Sequence, residues 1–210
     1  MTARGFARDT LAGEYVEFLI RQGQPESAAS VWRRYIGARA DGYGEANYDF
    51  NGSVESNPIE SPFDWNTANT AGVKVTRDGT TAQSGKSSLR IDFAGTENLD
   101  VAVASQFTFI RPGRYRLHAF IRTAGLTTDQ GIRFRISDAE SVSRLDESFG
   151  NYIGTNPWSE VEHDVRVPPG TRLLQVQVIR RSSMKFDNKV SGTAWIDAVR
   201  LEPVNLHSSQ

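Results

Sequence analysis

The chain has 210 residues, 38% of them hydrophobic and 10% aromatic, which suits one ordinary domain with a small addition and argues against disorder. A formal net charge of -1 removes any bulk electrostatic case for nucleic acid. With no cysteine, disulfides, thiolate metal sites and cysteine nucleophiles are excluded. Four of the 24 basic residues are lysines, leaving 20 arginines. That bias reflects a GC-rich genome, or else arginine forks set against anionic or hydroxyl-rich ligands.

No stretch approaches the about 18 apolar residues of a membrane span, so membrane insertion is not expected. Met1 to Asp9 lacks an apolar signal-peptide core. The chain is therefore either cytoplasmic or a piece of a longer exported protein, and the second is the expectation.

Residues 1–40 read as a helical hairpin. Leu11, Tyr15, Phe18 and Leu19 recur at i, i+4, i+7, i+8 and predict one apolar helix face. Gly23 suits a left-handed cap and Pro25 the first turn of a second helix, which carries Ala28, Val31, Trp32, Tyr35 and Ile36. Over roughly residues 8–40 this resembles a tetratricopeptide-type hairpin, with Gly23, Ala28 and Trp32 at its turn, small and aromatic positions. A single unit cannot bury both its faces. Either it ends a longer array or it packs on the domain that follows.

Residues 41–46 read as a connector, and from Asn47 the pattern changes to period two. Strands are predicted at about 47–54, 72–77, 87–94, 100–109, 113–123, 130–137, 145–150, 159–167, 172–180 and 192–202, with residues 204–210 as a tail. Turn signals at Arg77-Asp78-Gly79, Ser84-Gly85-Lys86, Arg111-Pro112-Gly113 and Pro168-Pro169-Gly170 separate them. Short, evenly spaced strands without intervening helices predict a mainly β fold, an antiparallel sandwich or jelly-roll over 47–203.

Within that region stand Asn51-Gly52-x-x-Glu55, Trp65, Ser84-Gly85-x-x-Ser88-Leu89, Gln106, Pro112-Gly113-x-Tyr115, Thr155-x-x-Trp158, Pro168 and Trp195-x-Asp197-x-Val199. This ordered set resembles the galactose-binding-like jelly-roll, and within it carbohydrate-binding modules of families 4, 9 and 22. The resemblance implies a non-catalytic binding module, with Trp65, Trp158 and Trp195 in the core. It also implies a structural calcium held by Glu55 and Asp197, helped by carbonyls around Ser53, Ser84 and Lys86. A hard cation wants six to eight oxygens, and a carboxylate such as Asp197 in a strand built for burial needs a cation or several donors. The competing reading has Asp197 capping a loop or pairing with an arginine.

Strand parity supplies ligand candidates. Tyr115, Leu117, Ala119 and Ile121 point inward, so His118, Phe120 and Arg122 point out. By the same rule Arg133 and Arg135 point out, and so do Gln175 and Gln177. If these strands share a sheet, their outer face is a solvated surface or a glycan site. In a glycan site Phe120, with Phe149 or Tyr152, would stack on sugar C–H faces. Arg122, Arg133, Arg135, Gln175 and Gln177, with Gln106, would bond hydroxyls, and the arginines would favour an anionic polysaccharide.

No catalytic triad, nucleophile elbow, His-cluster metal spacing or dinucleotide loop appears. His163 reads as inward-leaning, and His207 falls in the tail. Glu160, Glu162 and Asp164 share a strand face and read as solvated. Asp138 and Glu140 carry no further sign. The expected function is recognition of a glycan or envelope polysaccharide by a non-enzymatic module of a larger helical-repeat protein in the bacterial periplasm or exterior. The alternative is a structural spacer that contacts a protein through the hairpin.

Overall fold

The computed structural model describes residues 3–40 and 42–204. Helices α1 (Ala3–Arg21) and α2 (Pro25–Ile36) form the predicted hairpin, followed by a short 3-10 turn over Gly37–Ala40. Gly23 takes φ +70, and Pro25 opens α2 in its first turn.

Ten strands follow: β1 (Asn66–Thr67), β2 (Val73–Asp78), β3 (Ser88–Ala94), β4 (Val101–Phe109), β5 (Gly113–Leu126), β6 (Ile132–Asp138), β7 (Asp146–Tyr152), β8 (Gly154–Val167), β9 (Leu173–Arg180) and β10 (Ser191–Pro203). They form two antiparallel sheets, ordered β1-β4-β9-β6-β7 and β2-β3-β10-β5-β8. The jelly-roll sandwich expected from strand spacing is the fold.

The period-two pattern fills the space between the sheets. Phe134, Ile136, Val176 and Val178 of the first sheet meet Leu89, Ile91, Ile121 and Ile196 of the second in one buried cluster. Each fully buried aliphatic side chain contributes about 1.5–3 kcal/mol.

Three expectations change. Residues 47–54 do not form a strand. Asn51 and Val54 both take φ +52, which breaks the extended pattern, and the segment crosses the sandwich end as turns. The apolar stripe of α1 divides, because Val16 and Leu19 are buried while Leu11, Tyr15 and Phe18 are 66%, 49% and 48% exposed. Gly13 decides which face is covered. A Cβ there would lie 1.8 Å from the Glu60 carbonyl oxygen, so the helix backbone seats directly on the 59–61 segment. Finally, Trp158 is only half-buried, and Trp195 is buried outside the central cluster, as described below.

The hairpin packs on the β-sandwich. Val16, Leu19, Ala28, Trp32 and Ile36 form a second core with Tyr43, Phe50, Ile59 and Phe63, closed by Leu173, Phe107 and Phe109. Trp32 meets Phe50 edge-on at 5.5 Å, and the Tyr35 hydroxyl donates to Asp9. Among the described residues, no helix is long and apolar enough to cross a membrane. The 204–210 tail, His207 included, falls outside the described residues from position 205 on.

Candidate functional site

The residues picked out by parity do point outward, but on opposite faces of the molecule. Phe120 and Arg122 lie on β5 in the second sheet. Arg133 and Arg135 on β6, and Gln175 and Gln177 on β9, lie in the first. A single ligand face built from all six is therefore corrected: β5 and β6 are adjacent in sequence but diverge into different sheets. Phe149 and Tyr152 turn inward, where Phe149 stacks on His163 at 3.9 Å and Tyr152 meets Phe134 edge-on. Gln106 is also turned away from that face. It is buried, and its Oε1 accepts from Phe50 N at 3.2 Å.

The outer face of the first sheet carries two hollows. One, of about 400 Å³, lies between α1 (Gly13, Glu14, Glu17) and Ser105, Phe107 and Gln175. The other, of about 340 Å³, lies between Ala102, Arg135, Gln177, Ile179 and Arg181. Gln175, lining the first hollow, and Gln177, lining the second, are successive outward positions of β9, so the two hollows are neighbours on one sheet face. Arg135 binds Asp146 through Nε at 2.6 Å and Nη2 at 2.9 Å, and donates from Nη1 to Gln177 Oε1 at 3.1 Å. Arg133 donates to the Gly150 carbonyl at 2.7 Å, and Arg181 to Ser148 Oγ at 3.1 Å. Among the described residues neither of these two has a carboxylate within 4.0 Å, although Arg133 Nε is buried and the Arg181 charge acts on Asp146. The α1 end is acidic through Glu14, Glu17 and Glu60, and Phe107 is its aromatic surface.

On the second sheet, Trp195 lies on the outward side of β10 between Arg90 and Arg122, whose guanidiniums sit 5.6 and 5.4 Å from its ring. Its indole N–H donates to Asp78 Oδ2 at 2.9 Å. Arg122 is therefore committed to covering Trp195. Phe120 instead lines a third hollow, of about 550 Å³, with Arg39, Ser53, Glu55, Ser84 and Arg200. Asp49 also lines this hollow, is 2% exposed and has no hydrogen-bond partner for either carboxylate oxygen. Burial pushes its acid up to about 7.

Glu55 and Asp197 both accept hydrogen bonds from the loop before β3. Asp197 Oδ2 accepts from Gln83 N at 2.8 Å and Ser84 N at 3.0 Å, and Oδ1 from Ala198 N at 2.6 Å. Glu55 Oε1 accepts from Lys86 N at 2.7 Å and Ser87 N at 3.0 Å. Gly85, at φ +62, makes this approach feasible, since a Cβ there would lie 2.4 Å from Glu55 Oε1. Ser84 and Lys86 thus face the carboxylates through N–H groups, where carbonyls were expected. Ser53 lines the adjoining hollow. Burial, and secondarily the Glu55 charge, raise the Asp197 acid, while the three N–H donors pull it down. No Arg or Lys side chain lies within 4.0 Å of either carboxylate among the described residues. A buried Asp197 carboxylate beside an exposed Glu55 carboxylate, without a side-chain cation, fits a hard cation in charge, and the loop N–H groups already supply part of that neutralisation.

No family model matches the sequence, and no curated protein does. Solved structures do. A family 4 carbohydrate-binding module superposes at TM-score 0.50 with 12% identity, over 73% of this chain and 97% of that one. The C-terminal family 22 module of Clostridium thermocellum Xyn10B gives 0.49 and 17%, over 78% and 94%. The enzymatically active domain of bacteriophage CBA120 tailspike protein 4 gives 0.51 and 18%, over 76% of this chain and 22% of that one. At these identities what is shared is architecture: the chain has the β-sandwich fold of carbohydrate-binding modules.

Proposed function

We propose that the chain is a non-catalytic glycan-binding module and that the outer face of the first sheet is its binding groove. The observation that carries this reading is that successive outward positions of β9, Gln175 and Gln177, each line a hollow on the same sheet face. Amide and guanidinium groups spaced along a groove suit successive sugar hydroxyls. The charges of Arg133 and Arg181, neither in an ion pair within 4.0 Å among the described residues, favour a uronic or phosphorylated glycan at the β6 end. Retention on an acidic polysaccharide gel, compared with a neutral one, tests it. Stronger retention on the acidic gel is expected, and equal migration on both would sink the anionic preference.

Glu55 and Asp197 would hold a structural calcium that joins the loop before β3 to β10, with no part in ligand chemistry. A module of this kind would act as part of a longer exported chain, in the periplasm or outside the cell.

One observation favours a second reading. Leu11, Tyr15 and Phe18 leave an apolar stripe on α1, with the Tyr15 and Phe18 rings stacked at 6.3 Å. That face suits a protein contact, either a preceding helical repeat or a separate partner. In that case the sandwich would act as a spacer.

A further inference from the structure

On the outer face of the second sheet, across the sandwich from the groove and beside the hollow that Phe120, Arg200 and Glu55 line, we propose that His118, Glu160 and Glu162 form a binding site for a divalent transition ion, specifically zinc(II). Two neighbouring strands supply its ligands, and β10 flanks them. His118 of β5 lies opposite Glu162 of β8 and Arg200 of β10 in the strand register, and Phe120 lies opposite Glu160. Because β8 alternates, Glu160 and Glu162 both project to the side that His118 occupies.

The distances are compatible with a shared metal. His118 Nδ1 lies 3.3 Å from Glu162 Oε1 and 3.8 Å from Glu160 Oε1, and one ligand atom from each of the three groups lies within 4.8 Å of the others. Tetrahedral zinc with bonds of about 2.0–2.2 Å holds its ligand atoms about 3.3–3.6 Å apart.

Two further observations point to a cation. Nδ1 is screened from solvent and makes no hydrogen bond, although two carboxylates flank it. An imidazolium held by these acids would aim a proton at one of them. In addition, the other acidic groups of this face have arginine partners: Asp164 with Arg116, Asp92 and Asp78 with Arg90, and Glu202 with Arg200. Among the described residues Glu160 and Glu162 have no Arg or Lys within 4.0 Å.

The nitrogen ligand favours zinc over calcium, which takes oxygen ligands. Glu202 Oε2 lies 3.8 Å from His118 Nε2, the nearest carboxylate on the ring's other side, from which it could close on a metal-bound histidine. Three protein donors leave the fourth tetrahedral position to water.

The test is calorimetric titration of the metal-free full chain with zinc chloride, alongside thermal melting with and without zinc. The parent should bind one zinc ion and melt higher with it. Glu160→Gln/Glu162→Gln should lose that binding while melting like the metal-free parent. This pair is the informative variant because both side chains are about half exposed and their loss does not disturb the core. His118→Ala should behave likewise, and Glu202→Gln should weaken binding about tenfold or more. His163→Ala, which removes the other histidine paired with a carboxylate, should bind like the parent. No binding by the parent, or binding unchanged in Glu160→Gln/Glu162→Gln, would overturn the proposal.

Discussion

Arg135 and Gln177 face each other across β6 and β9, and the hydrogen bond from Arg135 Nη1 to Gln177 Oε1 spans 3.1 Å. Asp146 holds the same guanidinium from the β7 side, so the middle of the groove floor is preorganised. A group already oriented loses less entropy when a ligand arrives. Arg133, bonded only to neutral oxygens, brings the free charge.

Arg133→Ala combined with Arg135→Ala should therefore abolish retention on an acidic polysaccharide gel. The melting temperature should barely move, since a partly exposed ion pair contributes only about 0–1 kcal/mol. Retention equal to the parent's would remove this face from consideration, and Phe120→Ala would then test the hollow beside Asp49.

Calcium should raise the melting temperature, and chelator should lower it. At a hundredfold excess over its Kd the ion adds about 2.7 kcal/mol, worth roughly 5–10 °C for a domain of this size. Asp197→Ala should abolish the response and also release the Gln83, Ser84 and Ala198 N–H groups. If melting ignores both calcium and chelator, the loop N–H groups alone satisfy the carboxylates.

Asp49 gives a pH signature. Its acid is ordinary in the unfolded chain and pushed up to about 7 by burial in the fold. Between about pH 4 and pH 7 the unfolded chain gives up this proton while the folded one keeps it. The contribution of Asp49 to stability is thus fully present below the unfolded value and lost as pH rises through the folded value. Asp49→Asn should be more stable than the parent at pH 8, by on the order of 2–4 kcal/mol, with the gap closing toward pH 4. Denaturant unfolding of both proteins at the two pH values measures it, and a gap independent of pH would contradict it.

Arg180 is fully buried at the end of β9. It donates to Asn98 Oδ1 at 2.9 Å and to the Asn188 carbonyl at 3.0 Å, and also to the Leu99 and Gln130 carbonyls. These bonds tie together the loops before β4, β6 and β10. Arg180→Ala leaves the acceptors dry and should cost about 3–5 kcal/mol in chemical denaturation. A loss under about 1 kcal/mol would show that those loops hold without it.

Strand alternation made most of the sandwich legible in the sequence. It also set the facing of individual side chains, with His118 and Phe120 outward and His163 inward against Phe149. It could not say which sheet a strand joins, because inward and outward alternate identically in both. Arg122 and Arg133, eleven positions apart, came to lie on opposite faces for that reason.

The 47–54 segment misled for a local reason, since its alternating pattern is overridden by left-handed backbone at Asn51 and Val54. On α1 the spacing of Leu11, Tyr15 and Phe18 was real, but Gly13 let the neighbouring face seat first. The His118–Glu160–Glu162 cluster had no sequence signature, because its ligands come from two strands more than forty residues apart.

The most direct test of the glycan-binding reading is an array of acidic and neutral glycans probed with the purified chain, with and without calcium. Selective binding to uronic-acid or phosphorylated polysaccharides, lost in the Arg133→Ala/Arg135→Ala variant, is the predicted result. A blank array from a well-folded protein would contradict it and turn attention to the exposed stripe of α1.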